Sequence, residues 1–163
     1  MTRIHANSSG QPSAVGGQLR EQALAYLATH HVMTLATHGP LGLWAAAVFY
    51  ANDGFELIFL SAGHTRHAQN LAANPHVAAT IQEDYADWPS IKGIQLEGTV
   101  RQLAGEEQAA AVALYQRKYP FIAQAEPAIQ AALARVSWYR LTPERVYFID
   151  NSQGFGRREE IAL

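Results

Sequence analysis

The segment Ser61 to Pro75, SAGHTRHAQNLAANP, groups side chains that can bind an anion. Its hydroxyl, guanidinium and imidazole groups can all donate hydrogen bonds, and arginine binds phosphate through charge-assisted, often bidentate bonds. The apolar run FELIFLS precedes it, so Ser61 ends a predicted strand and Thr65 stands where a helix N-cap residue is expected. Because a helix N-terminus offers unpaired N–H donors and a positive dipole end, this pattern predicts a phosphate-type site.

The residues alone leave a second interpretation open. Arg66 in a first helical turn is unfavourable for the helix, since cations stabilise the opposite end, and a bound phosphate would offset that cost. However, Thr-Arg-His is not a specific motif, and a short helix with two solvated residues would have the same sequence. An anion site and a solvated surface helix therefore both fit this stretch.

Periodicity and turn residues predict the elements that would position this segment. A helical pattern begins at Leu19, and strands follow at 31–37, at 44–51 and at 55–61. The second of these, WAAAVFYA, is a continuous apolar run, which is typical of a strand buried on both faces. Asn52-Asp53-Gly54 is a hairpin signal between the second and third strands.

The remaining chain continues the strand-rich pattern. After the short helix, which must end before Asn74-Pro75, we expect strands at 76–82 and 92–103 around a loop, then helices from Gly105 and near Pro127. Two final strands are predicted on either side of Thr142-Pro143, Val136 to Leu141 and Arg145 to Asp150. This order favours a mostly β fold, an antiparallel barrel with peripheral helices.

Composition limits the class of protein. The 163 residues fit one domain, predicted over residues 18–163 after a disordered lead-in at residues 1–17. A hydrophobic content of 48% and a net charge of −2 indicate a globular protein and argue against nucleic-acid partners. The chain has no cysteine, and no apolar stretch long enough for a signal peptide or membrane span. We therefore expect a cytoplasmic protein with no membrane partner.

The run IFLSAGHTRHAQNLAANPHVAATI, following WAAAVFYANDGFEL, resembles the FMN-binding split barrels of the pyridoxamine 5'-phosphate oxidase-like superfamily, as found in an uncharacterised bacterial branch. In that family a strand ends in a hydroxyl residue, a Ser/Thr-Arg-Lys group starts a short helix, and Asn-Pro closes it. Here Ser61, the group 65–67 and Asn74-Pro75 match those features. The likeness continues through KGIQLEGTVRQL and RLTPERVYFIDN, roughly from residue 19 to residue 157.

The resemblance implies an FMN site at the interface of a homodimer. Arg66 and His67 would hold the phosphate with help from Ser61 and Thr65, and the strand at 45–47 would lie along the isoalloxazine ring. Lys92 and Gly93 would approach the ring from the partner subunit, where Lys92 would stabilise negative charge on the reduced flavin. The implied cofactor-binding residues are Ala45, Ala46, Ala47, Leu60, Ser61, Thr65, Arg66, His67, Lys92 and Gly93.

Two departures from the family pattern shape the expected function. His67 replaces the usual lysine, so its phosphate contact depends on protonation. The late Arg-x-His substrate motif of pyridoxal oxidases is missing, and the chain ends NSQGFGRREEIAL. We therefore expect an FMN-dependent oxidoreductase or flavin reductase that uses NAD(P)H and a small-molecule acceptor, rather than a true pyridoxamine phosphate oxidase.

Alternatives remain at this point. Some members of the superfamily bind haem, and the chain contains His30, His31, His64 and His67, so a non-catalytic flavin- or haem-binding protein is the competing hypothesis. No HExxH or GxSxG pattern exists, so no metal ligand and no catalytic side chain is predicted. In the C-terminal tail, Asn151, Phe155 and Arg157 either cap the pocket or belong to a flexible end.

Overall fold

A computed structural model of the protein describes residues 14–163, which form four α-helices and eight strands. The helices are α1 (Ala14–Thr29), α2 (Arg66–Ala73), α3 (Gly105–Lys118) and α4 (Pro127–Leu133), with 3-10 turns at Pro120–Gln124 and Asn151–Gln153. The strands are β1 (Val32–Gly39), β2 (Gly42–Phe49), β3 (Ala51–Asp53), β4 (Glu56–Ser61), β5 (His76–Gln82), β6 (Lys92–Gln102), β7 (Ser137–Asp150) and β8 (Arg158–Ile161).

All eight strands belong to one curled antiparallel sheet in the order β2-β1-β5-β6-β7-β4-β3, with β8 paired to β7. β7 connects the two ends of this sheet: it pairs with β6 along its length, with β4 at its start and with β8 near its end. The predicted mostly antiparallel architecture with peripheral helices is confirmed.

Two apolar clusters hold the sheet in shape. The inner face of the curl packs residues of β1, β4, β5, β6 and β7 against α1, whose Ala23 and Leu27 are fully buried. On the other face of β4, Ile58 packs with Tyr115 and Trp138 under α3. β4 therefore lies between the two clusters, and its last residue, Ser61, lies at the edge of the main core.

The two strands predicted on either side of Thr142-Pro143 are one continuous strand. β7 runs through Pro143, where its register with β6 shifts between Glu97 and Gly98. A proline fits inside a sheet at such a bulge, because the ladder hydrogen bond that it lacks is already interrupted. Gly98 makes the bulge possible, since a Cβ there would collide with the Thr142 carbonyl oxygen and lie 2.7 Å from Pro143 Cα.

The prediction that the WAAAVFYA strand is buried on both faces was wrong. β2 is an edge strand whose alternate residues are exposed, Leu43 to 79% and Phe49 to 51% of their surface. Burial within the described chain therefore accounts for Val48, Tyr50 and Ala51 of this run but not for the apolar residues on the exposed face of β2.

The ends of the chain also differ from expectation. α1 begins at Ala14, so the last part of the predicted lead-in is helical, while residues 1–13 lie outside the described part. The flexible C-terminal end is replaced by β8, which pairs with β7 from Val146 to Ile149. None of the helices within residues 14–163 has the length and apolar character that a membrane crossing requires.

Candidate functional site

Ser61, Thr65 and His67 lie together where β4 ends and α2 begins. Ser61 Oγ is 2.6 Å from His67 Nε2 and 2.9 Å from Thr65 Oγ1. Thr65 is the N-cap of α2: its hydroxyl accepts a hydrogen bond from the Ala68 N–H at 3.3 Å and donates to the Ala62 carbonyl at 2.9 Å. We call these three side chains the hydroxyl–imidazole cluster.

The electrostatics of this cluster suit an anion. The backbone N–H groups of Arg66 and His67 have no acceptor within residues 14–163, as expected in a first helical turn. Burial lowers the pKa of His67 below its usual value, so its imidazole is neutral at pH 7. The site therefore offers hydroxyls, two free N–H groups and a histidine that an incoming negative charge would help to protonate.

Arg66 points away from the hydroxyl–imidazole cluster. Its guanidinium donates to the carbonyl oxygens of Leu41 and Leu43 in the β1–β2 hairpin, the second at 3.3 Å. It also lies over the Trp44 ring, 4.8 Å from the centroid, in a cation–π contact. Its Nε is buried without a hydrogen-bond partner in the described chain. Arg66 thus joins α2 to the hairpin in this conformation.

Asn70 makes a second link between α2 and the same hairpin, which sequence reasoning missed. This residue is completely buried, and its Nδ2 donates to Thr37 Oγ1 and to the Gly42 carbonyl, both at 3.2 Å. A Cβ on Gly39 would overlap the Asn70 side chain, so glycine is required where helix and hairpin touch. An Asn within a helix next to a Gly-containing turn is a weak signal, and its burial could not have been read from spacing.

The three alanines predicted beside a cofactor do not share a face. Ala45 and Ala47 pair with Ala36 and Thr34 on the outer side of the sheet, whereas Ala46 pairs with buried Leu35 and faces inward. Only the first two can therefore present their methyl groups to a ligand outside the sheet.

Leu60 lines an apolar groove of about 470 Å³ on the outside of β4. Phe49 at the end of β2 forms a second wall, and Phe121 with Ile129 of the helical segment forms the third. Phe121 and Ile129 are mostly exposed, and α4 buries none of its residues. The groove is therefore an open apolar site that begins one residue before Ser61.

Lys92 and Gly93 lie far from the hydroxyl–imidazole cluster within one chain. Lys92 pairs with Asp150 at the end of β7, whereas Ser61 pairs with Ser137 at its beginning. Thirteen residues separate the two positions on β7, roughly 40 Å along an extended strand. Lys92 Nζ is instead 3.4 Å from Asp150 Oδ2.

The C-terminal segment meets the loop before β6 near Lys92. Asn151 donates a side-chain hydrogen bond to the Trp88 carbonyl at 2.8 Å, and its backbone N–H donates to the Ile91 carbonyl. The exposed rings of Trp88 and Phe155 lie 5.6 Å apart. The tail therefore braces the loop of the same chain, at the end of the sheet opposite α2.

Comparison with known proteins adds the family context. A family model described as pyridoxamine 5'-phosphate oxidase matches residues 19–150. Over 135 residues the chain is 35% identical to the UPF0306 protein of Photorhabdus laumondii subsp. laumondii, an alignment covering 82% of this chain and 88% of that protein.

Two solved structures show the same fold. A haem-binding protein from Mycobacterium smegmatis matches with a TM-score of 0.67 and 25% identity, over 94% of this chain and 60% of that one. A candidate pyridoxamine 5'-phosphate oxidase from Listeria innocua matches with a TM-score of 0.61 and 19% identity, over 81% and 98%. The predicted split-barrel fold is confirmed.

Proposed function

The chain belongs to the pyridoxamine 5'-phosphate oxidase family, and from that membership we propose that it is a cytoplasmic FMN-binding protein. It would act as a homodimer, with the cofactor between subunits, and as an NAD(P)H-dependent oxidoreductase or flavin reductase.

The hydroxyl–imidazole cluster at the start of α2 is the observation that carries this proposal. A phosphate at this point would accept hydrogen bonds from the Ser61 hydroxyl and from the free N–H groups of Arg66 and His67. Because burial keeps His67 neutral, the phosphate would raise the pKa of that imidazole and gain a cationic donor. The residues present therefore fit an anionic group.

Arg66 would have to rotate to join them. Its bonds to the Leu41 and Leu43 carbonyls are made by Nη2, and its Nε has no partner. A phosphate offers a charged acceptor in place of two neutral carbonyls, and hydrogen bonds to charged acceptors are roughly twice as strong. Replacing the two carbonyl acceptors of the hairpin by the phosphate would therefore give Arg66 stronger hydrogen bonds.

The remaining contacts suit a flat ring. Ala45 and Ala47 leave room for close approach to the outer face of β2, and Leu60 supplies an apolar wall one residue before the phosphate donors. FMN, when bound, supplies the electron-transfer chemistry. The protein would bind the phosphate, shield one ring face from water and hold Lys92 of a second copy near the other.

Pyridoxamine phosphate is not the proposed substrate. The Arg-x-His pair that would recognise it is absent, and residues 157–159 read Arg-Arg-Glu. Arg157 forms an ion pair with Glu159 instead. The proposed substrate is instead a small acceptor or free flavin, because neither needs a dedicated phosphate-binding pair in the C-terminal segment.

A haem-binding protein on the same fold is the second candidate, favoured by the similarity to the haem-binding protein of Mycobacterium smegmatis. The visible spectrum of the freshly purified protein separates the two, because bound haem gives an intense Soret band that bound flavin lacks. A Soret band with one haem per subunit would replace the flavin proposal.

Substitution of Arg66 tests the phosphate contact. We expect Arg66→Ala to weaken FMN binding by about 1.5–3 kcal/mol, roughly tenfold to a hundredfold, because a charge-assisted hydrogen bond is lost. Riboflavin, which lacks the phosphate, should lose far less affinity. Arg117→Ala, at an exposed position of α3, is the matched control. Equal losses for FMN and riboflavin would show that Arg66 does not touch the phosphate.

Stopped-flow measurement of flavin bleaching tests the enzymatic part. NADH or NADPH should reduce the protein-bound FMN faster than free FMN, since binding orients the two rings. If the bound FMN is reduced no faster than free FMN, the protein carries the cofactor and is not an NAD(P)H-dependent enzyme.

A further inference from the structure

The hydroxyl of Tyr115 is a buried hydrogen-bond donor that the fold does not use. Tyr115 lies on α3 and is only 4% exposed. Its ring is held by Trp138 and Tyr119, whose ring centroids lie 5.3 and 4.6 Å away. Its hydroxyl has no hydrogen-bond partner within residues 14–163, whereas the buried Tyr50 and Tyr119 both donate theirs to carbonyl oxygens. Since a buried tyrosine hydroxyl usually finds a partner, this donor indicates a ligand that supplies the acceptor.

Tyr115 lines the open apolar groove on the outside of β4. Sites for small molecules hold roughly 300–1,000 Å³ and combine apolar walls with a few placed polar groups. The groove holds about 470 Å³, and its walls include Phe49, Leu60 and Ile129. Among the described residues that line it, Glu126 is the one with a charge at pH 7. The size and the lining therefore suit a small ring compound that carries no negative charge.

One wall of the groove can adjust to a ligand. This wall belongs to residues 120–135, which include α4, and we call them the helical arm. The arm bonds its polar groups internally or to Tyr119 at its start. Within residues 14–163, no hydrogen bond or ion pair joins the arm to the sheet. Because only apolar contacts hold it there, the arm can shift without breaking a hydrogen bond.

We propose that this groove binds an uncharged ring compound with a carbonyl oxygen, such as a quinone. The apolar walls would cover the rings, and the Tyr115 hydroxyl would donate to the carbonyl oxygen. Burial raises the pKa of this phenol, so it remains a donor throughout the physiological pH range. Glu126 would repel an anionic ligand from the same groove.

The position of the groove suits an electron acceptor. The groove begins at Leu60, one residue before Ser61 of the hydroxyl–imidazole cluster, so its ligand would lie beside the proposed flavin site. A quinone takes up two electrons and two protons to become a hydroquinone, and a reduced flavin can supply both. This inference deepens the proposed function and rests on it for the ligand's role as electron acceptor. The binding itself depends on residues of the groove alone.

Calorimetric titration of the full-length, flavin-free protein with menadione (2-methyl-1,4-naphthoquinone) tests the site. Wild type should bind one menadione per chain, and Tyr115→Phe should weaken this binding by about three- to tenfold, because one hydrogen bond is lost. The affinity for 2-methylnaphthalene, which has the same rings without the carbonyls, should be the same in both proteins. Tyr147→Phe, on β7 outside the groove, is the matched control and should bind menadione like wild type.

A second set of variants tests the walls of the groove. Ile129→Asp should weaken the binding of both ring compounds by about tenfold or more, because it places a charge in an apolar wall. Ala131→Asp, at an exposed position of α4 outside the groove, should leave both affinities unchanged. The anionic 1,4-naphthoquinone-2-sulfonate should bind about tenfold more weakly than menadione, and Glu126→Gln should reduce that difference. Cooperative thermal unfolding confirms that each variant is folded.

Wild type that does not bind menadione would overturn the inference, and this is the result expected if a second copy or residues 1–13 covered the groove. Equal menadione affinities of Ile129→Asp and Ala131→Asp would also overturn it, as would a Tyr115→Phe protein that loses menadione and 2-methylnaphthalene affinity equally or loses neither. Because no flavin is present, the result is independent of the cofactor. A chain that binds menadione in the groove but never binds FMN would uphold this site and remove the proposed function.

Discussion

The two ends of the sheet stabilise their polar groups by different means. At the α2 end, Ser61, Thr65, His67 and Asn70 are buried or half-buried. Ser61, Thr65 and His67 form one neutral hydrogen-bonded group, and Asn70 bonds separately to Thr37. At the Lys92 end, the links are made by ionisable side chains. His30 Nε2 lies 2.9 Å from Glu83, and Lys92 pairs with Asp150.

A third ionisable group strengthens the contrast. Lys118 of α3 donates to the Leu27 and His30 carbonyls at the C-terminus of α1, at 3.2 and 2.6 Å, and lies over the Tyr50 ring. Neutral buried networks keep their geometry over a wide pH range, whereas ionic links at a surface weaken with salt and change with pH. The α2 end is therefore organised before a ligand arrives, and the Lys92 end responds to conditions.

The largest expected effect comes from removing the buried link at the α2 end. We expect Asn70→Ala to lower the free energy of unfolding by about 2–4 kcal/mol, because Thr37 and the Gly42 carbonyl both lose a buried donor and a cavity is left. Gln69→Ala, one residue away and exposed, should change it by less than about 0.5 kcal/mol. Urea unfolding measures the free energy of unfolding of both variants. If both variants lose equally little, the buried hydrogen bonds of Asn70 do not stabilise the fold.

A medium effect is expected from His67, the histidine of the α2 end that would contact the proposed phosphate. FMN affinity should rise by up to about tenfold from pH 8 to pH 6.5, because the phosphate favours protonation of a histidine that is neutral in the free protein. His67→Lys should bind FMN with an affinity that is flat over this range. Fluorescence titration measures both proteins, with riboflavin as the ligand that should show no pH dependence.

A pH dependence of wild type that His67→Lys retains would assign the effect to another group. Below pH 6.5 the phosphate itself begins to protonate, with a second pKa of about 6, so the comparison ends there.

The smallest expected effect concerns Lys118, the third ionisable group described above. Burial lowers the pKa of Lys118 to about 8, below the value of about 10.4 in an unfolded chain. The charged form therefore disfavours the fold, and stability should rise from pH 7.5 to pH 9 by about 0.5–1 kcal/mol, a figure reduced because water screens a half-buried group. Lys118→Met should remove this rise. Urea unfolding at a series of pH values measures the free energy of unfolding of wild type and Lys118→Met. If it rises with pH equally in both proteins, Lys118 is not the cause of the rise.

Local signals predicted the α2 end well. Thr65 as N-cap, the end of α2 before Pro75, and the turn at Gly54 all depend on residues close in sequence, and all are confirmed. The position of Arg66 on the hairpin and the burial of Asn70 depend on residues 23 to 33 positions away, which spacing cannot reveal.

Long-range pairing explains the other differences. Pro143 reads locally as a turn, and only Gly98, 45 positions earlier, converts it into a bulge within β7. The apolar residues of β2 suggested burial on both faces, but its place at the edge of the sheet depends on the order of all the strands. Whether the predicted residues hold FMN remains a prediction that the experiments above address.

The position of β7 has a consequence for how the protein is made. β4 and β6 both pair with this strand, and it is synthesised after both of them. A nascent chain that ends before Ser137 therefore has two unpaired strand edges, which attract other strands. The sheet cannot close until β7 has left the ribosome, so the interval before that strand emerges is when the nascent chain is most prone to aggregate.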